Sequence, residues 1–247
     1  MNHVYDVLAP VLGMATALAL LFVLVFLLLS PVRRKFWIIL AYVAWELFAT
    51  AALTIADVVY HGSAKMGTAQ TAANKLYARL YWTNDVLVDL FRFVLVIVLI
   101  YKASEGTRRL VSGKLLSALV VVVMVLPFFL FHPTFTPVPK TAWFASAGEL
   151  LNFGAAIMNL MLWATLIASK RRDGQLLIVS AGLGVVVTGT AIAYGIRYLS
   201  GQSEFGAMGY LFMNLTQLAG WAIWCWAFRP TARIPKAADA VVASTER

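Results

Sequence analysis

The chain has 247 residues, 62% of them hydrophobic and 13% charged, with a formal net charge of +9. Soluble domains are about half apolar and about a quarter charged, so this chain has too little polar surface to cover a water-soluble globule. Apolar runs of about 20 residues, the length that crosses about 30 Å of hydrocarbon as a helix, and the lack of alternating strand patterns predict an all-α membrane protein rather than a barrel.

The runs predict seven transmembrane helices: Val7 to Ser30, Trp37 to Tyr60, Tyr81 to Ala103, Leu115 to Phe131, Phe144 to Ser169, Leu176 to Leu199 and Tyr210 to Phe228. The first is a retained span. It lacks the basic region of a cleaved leader, and Arg33-Arg34-Lys35 follows it as a stop-transfer signal. The second and third are joined by the longest loop, from His61 to about Leu80. Its Ala, Gln, Asn, Lys and Leu content fits either a short amphipathic helix lying on the membrane or a mobile loop. The fourth span is the shortest, and Pro127 kinks it or ends its regular hydrogen bonding. In the sixth, Ser180, Gly184 and Thr188 recur every four residues, a spacing that lets a neighbouring helix approach closely. Residues 1–229 read as one seven-helix domain, and 230–247 as a short polar tail, expected to be disordered.

Basic residues orient the bundle. Arg33, Arg34 and Lys35, then Lys102, Arg108, Arg109 and Lys114, then Lys170, Arg171 and Arg172, fall in the first, third and fifth loops, and the tail adds Arg229, Arg233, Lys236 and Arg247. The other side holds Lys65, Lys75, Arg79, Lys140 and Arg197, so the count is fourteen against five. Positive loops stay inside, which predicts an external N-terminus and a cytoplasmic C-terminus. The basic charge is thus accounted for by topology and anionic headgroups, and no basic stretch interleaved with aromatics suggests nucleic acid.

Four spans each carry a polar stripe at helical spacing. Glu46, Thr50 and Asp57 share a face in the second, and Asp85, Asp89 and Arg92 in the third. Glu149, Asn152, Asn159 and Trp163 do so in the fifth, and Asn214, Gln217, Trp221 and Trp224 in the seventh. Lipid is a poor solvent for such stripes, so they should turn inward and face one another. Asp57, Asp85, Glu149 and Asn214 lie near the outer ends of their spans, Asp89, Asn152 and Gln217 about a turn deeper, and Arg92 and Glu46 near the middle. The expected result is an outward-facing acidic vestibule, floored by Arg92 in a pair with Asp89 or Glu46. Bundle-face Asn and Gln can equally be interhelical glue, each worth about 0.6 to 2 kcal/mol.

Several chemistries are disfavoured. His3, His61 and His132 fall outside the spans or at the outer interface, so a haem-binding His pair is not expected. Cys225 is the only cysteine, which rules out an intrachain disulfide. Zinc-protease, nucleophile-elbow and phosphate-loop motifs are missing, and the last span has no lysine to hold retinal. No catalytic residue, metal or cofactor is expected, and the chain is read as a non-enzyme. The layout is similar to the seven-helix sensor segments that precede bacterial histidine kinases. That likeness covers the topology and no motif, so it is an analogy alone. The odd span number, the absence of internal repeats, the single kinking proline and the short loops favour a receptor-like multi-pass sensor, expected in a bacterial inner membrane. Besides the bilayer, its expected partners are a small cationic or polar ligand and a separate cytoplasmic signalling protein. A small proton- or cation-coupled transporter and a non-catalytic assembly subunit are the alternative readings.

Overall fold

The computed structural model describes residues 2–62, 67–104, 121–122, 140–168, 173–200 and 204–229. Among them the protein is all-helical: α1 (Asn2–Leu29), α2 (Trp37–Gly62), α3 (Gly67–Ser104), α4 (Lys140–Ala168), α5 (Gly174–Ser200) and α6 (Glu204–Phe228). The predicted span from Leu115 to Phe131 lies outside the described residues except for Val121 and Val122, which are helical, and the tail after Pro230 lies outside them too.

Four helices contain stretches long and apolar enough to cross a membrane: Pro10–Leu29, Trp37–Ala56, Gly148–Ile167 and Gly174–Ile196. In α3 the apolar signal is interrupted by Asp85, Asp89 and Arg92, and in α6 it is diluted by Asn214, Thr216 and Gln217. The surface agrees with a membrane location. Along α4, Phe153, Ile157, Leu160 and Ile167 are exposed while Asn152 and Asn159 are buried. A water-soluble helix has the opposite arrangement, because large contiguous apolar surface is not left facing water.

One sequence expectation is corrected. Residues 67–80 form neither a loop nor a separate surface helix; they are the first turns of α3, continuous with the span that follows. The resulting 38-residue helix is about 57 Å long, well beyond the roughly 30 Å of hydrocarbon.

The helices close a ring. Each of α1 to α5 packs on the next, α6 packs back on α1, and α3 also touches α5 across the ring. The tightest crossing is between α5 and α6. A Cβ on Gly182 would collide with the Trp224 indole, one on Gly189 with the Thr216 side chain, and one on Gly220 would sit 2.9 Å from the Gly182 carbonyl oxygen. The close-approach stripe is therefore Gly182, Val186 and Gly189 against Thr216 and Gly220. The predicted Ser180-Gly184-Thr188 stripe does not form that contact as a unit: Thr188 is exposed, and Gly184 abuts Asn159 of α4.

A polar knot joins three helix ends. Asp173 caps α5 by accepting the Leu176 N–H at 3.1 Å, and it pairs with Lys35. Lys102, near the end of α3, donates to the Lys35 carbonyl oxygen. Both ammonium groups lie over the buried Phe36 ring, at 5.2 and 5.4 Å from its centroid, and that ring packs edge-on against Phe228. Partial burial pushes the Asp173 carboxyl up, but the Lys35 ammonium and the N–H groups of Leu176 and Gln175 outweigh it. The group stays below its ordinary value.

Candidate functional site

Arg92 sits on the inward face of α3 with 3% of its side chain exposed. Its guanidinium is divided among three partners. Nε–H donates to the Tyr42 hydroxyl at 2.9 Å, Nη1 to Asp89 Oδ1 at 3.0 Å, and Nη2 to Glu46 Oε1 at 3.4 Å. Asp89 is one turn before Arg92 on the same helix, whereas Tyr42 and Glu46 are one turn apart on α2, so a single cation clamps α2 to α3. Planar, multiply donating guanidinium suits this task better than a lysine point charge.

Each carboxylate engages Arg92 through one oxygen only. Glu46 Oε2 and Asp89 Oδ2 are buried without a hydrogen-bond partner among the described residues, as is Asn152 Oδ1. The Asp89 side chain is 1% exposed, that of Glu46 14%. A buried acceptor without a donor costs about 1–3 kcal/mol, and more when charged.

The cluster continues toward α4 and α5. Asn152 lies beside the Asp89 carboxyl and donates to the Gly148 carbonyl oxygen at 2.9 Å. Gly148 lets α4 come close: a Cβ there would lie 2.9 Å from Asp89 Oδ2 and 3.6 Å from the Tyr194 hydroxyl. Tyr194, from α5, donates to Asp85 Oδ2 at 2.6 Å. On the α6 side the Tyr42 ring stacks on Trp221 at 5.8 Å and meets Trp224 edge-on at 6.1 Å. The Trp224 indole N–H donates to the Val179 carbonyl oxygen at 2.9 Å, tying this aromatic pair to α5.

The structure thus brings Glu46, Asp85, Asp89, Arg92 and Asn152 into one cluster, and Arg92 contacts Asp89 and Glu46 together rather than one of them. Asn159 is buried against Gly184, lower on α4. Glu149, Asn214 and Gln217 are half-buried, and α6 reaches the cluster through Trp221 instead of through its amides. Thr50 is exposed, so the α2 stripe does not face inward along its whole length. The Asp57 side chain lies outside the described residues. Two members had no assigned role in the sequence. Tyr42 precedes Glu46 by four residues, so the spacing already placed it on the same face. Tyr194 has Thr190, Arg197 and Tyr198 at helical spacing, but no carboxylate or amide on its own helix marks it as a partner of Asp85.

The chain is therefore a helical-bundle membrane protein with a buried arginine-carboxylate cluster. No protein-family model, curated protein or solved structure matches it.

Proposed function

We propose that the protein is a receptor-like sensor or signalling module of seven membrane-crossing helices, with an external N-terminus, a cytoplasmic C-terminus and no catalytic role of its own. Arg92 is its lock. The observation that carries this reading is the division of one buried guanidinium among Tyr42, Glu46 and Asp89, on two helices, with a carboxylate oxygen left over on each acid. Such an arrangement holds α2 and α3 together but has an evident competitor: any added positive charge or donor that engages the spare oxygens weakens the grip of Arg92. Binding of a small cationic or polar ligand from the outer side then shifts the bundle between two arrangements. The basic inner loops, Arg33 to Lys35 and the Lys102 region among them, carry the change to a separate cytoplasmic partner.

The test is a thermal-shift screen of the protein in lipid nanodiscs against amines, metal cations and pH, followed by a flux assay in proteoliposomes. A ligand that binds the native state raises its apparent stability by mass action. Stabilisation without flux supports the sensor. Coupled proton or cation flux overturns it in favour of a transporter. No response anywhere in the screen favours an assembly subunit whose polar stripes are helix glue.

A further inference from the structure

We propose that the cluster is a proton-binding site, with the proton held on Asp89 Oδ2 in the closed bundle. The argument is one of charge and unmet hydrogen bonding. Two carboxyl groups, Glu46 and Asp89, contact one guanidinium and a third, Asp85, lies near both of them, so the cluster carries two surplus negative charges if all are ionised. A buried charge without compensation is not sustained; the group neutralises instead.

The groups facing Asp89 decide which acid takes the proton. From α2 come Tyr42 and Glu46, from α3 itself Asp85 and Arg92, and from α5 Tyr194. From α4 come Gly148 and Asn152 among the described residues, neither of them titratable. Asp85 has an answered charge, because the Tyr194 hydroxyl donates to its Oδ2 at 2.6 Å and the residue is only half-buried. Glu46 keeps some access, at 14% exposure, and takes the Nη2 of Arg92. Asp89 is the most enclosed, at 1% exposure. The Asn152 amide lies beside its carboxyl, but that N–H is given to the Gly148 carbonyl oxygen at 2.9 Å, and no donor among the described residues reaches Oδ2 within hydrogen-bond distance.

With a proton on Oδ2, Asp89 still accepts from Arg92 through Oδ1, which is then the carbonyl oxygen of the acid. Arg92 and Glu46 remain as a balanced ion pair. When the proton leaves Oδ2 for water, a carboxylate forms and the trio of Glu46, Asp89 and Arg92 becomes net negative. The Gly148 approach keeps α4 hard against this oxygen, so the new charge meets a helix face that offers it no cation among the described side chains. The inference deepens the sensor reading by naming its stimulus, external proton concentration. Only the consequence of protonation rests on that reading; occupancy of the site does not.

Infrared difference spectroscopy of the protein in lipid, titrated from neutral to alkaline pH, tests it. A protonated-carboxyl C=O band should be present at neutral pH, shift in deuterium oxide, shift again on labelling with carbon-13 aspartate, and disappear in Asp89→Asn. Absence of any such band in the wild-type protein overturns the proposal, and so does a band that survives aspartate labelling unshifted or is lost only in Glu46→Gln. Replacing choline by sodium at constant pH and ionic strength should leave the band unchanged; loss of the band would assign the site to an alkali cation instead. The isotope experiment uses the wild-type chain, so poor folding of Asp89→Asn does not blunt it. A band with these properties, but with no change in helix contacts across its titration, would keep the proton site and sink the sensor.

Discussion

The Arg92 Nε–H donates to the Tyr42 hydroxyl at 2.9 Å, and the same Tyr42 ring stacks on Trp221. A polar bond and an aromatic contact thus meet on one side chain, and α3, α2 and α6 are joined through it. The polar half supplies direction, since a guanidinium edge must point at its acceptors. The aromatic half supplies contact area without adding charge.

Arg92→Ala removes the only cation that faces Glu46 and Asp89 among the described residues. Breaking a buried pair by deleting one partner costs about 3–5 kcal/mol. The expected result is a large drop in thermal midpoint and in folded yield, measured by fluorescence-detected size exclusion after heating. Wild-type yield and midpoint would remove Arg92 from the centre of this account.

Tyr42→Phe separates the two halves of the Tyr42 contact. The ring and its stack on Trp221 remain while Arg92 Nε loses its acceptor, at a cost of about 1–3 kcal/mol. Tyr42→Ala loses the ring as well, and a buried aromatic truncated to alanine costs about 3–5 kcal/mol. Equal midpoints for the two variants would mean that the hydroxyl carries everything and the stack nothing.

Gly220→Ala probes the α5–α6 crossing. The new methyl would meet the Gly182 carbonyl oxygen at 2.9 Å, and backbone cannot turn away as a side chain can. Overpacking of this kind costs about 1–3 kcal/mol. Thr188→Ala, on the exposed side of α5, should leave the midpoint unchanged. If Thr188→Ala proved the more damaging, the helix would face the other way.

Asp173 gives a pH dependence of defined sign. Its carboxyl is held below the ordinary 3.8 in the folded protein. Its contribution is therefore complete above that value and fades as pH falls through the lower folded value. Asp173→Asn keeps a capping side chain but loses the charge, and pairs this exposed are worth about 1 kcal/mol or less. The gap in midpoint between wild type and Asp173→Asn should be present at pH 7, close in strong acid, and shrink with salt. A gap that widened on acidification would contradict the Lys35 pairing.

How much of this was legible in the sequence depends on which forces a pattern records. The 100° step of a helix placed Asp89 and Arg92 on one buried face of α3 and Asn152 and Asn159 on one buried face of α4, because a polar side chain in an apolar run has few places to go. Thr50 escaped that logic: one hydroxyl costs little at the surface, and it lies outward. Residues 67–80 were legible as a possible helix but not as part of the span that follows, because their composition shows helix-forming content and not continuity across Leu80. The α5–α6 contact was misassigned because small residues occur on more than one face of α5, and only the partner surface, Thr216 and Gly220, selects among them. Tyr194 was invisible for a related reason, as its value lies in a cross-bundle neighbour, Asp85, 109 positions away.

The unbroken course of α3 has a mechanical corollary. From Gly67 to Arg92 runs a rigid arm of about 38 Å. Tilting such an arm by about 3° about its tip swings the guanidinium sideways by roughly 2 Å, more than the bonds of 2.9 Å to Tyr42 and 3.4 Å to Glu46 can follow from a stationary neighbour. Asp89 rides on the same arm and travels with Arg92, whereas Tyr42 and Glu46 are anchored on α2. A tilt of α3 against α2 therefore severs the ties between helices before it disturbs the tie within one, and leverage alone suffices to decide the order in which they break.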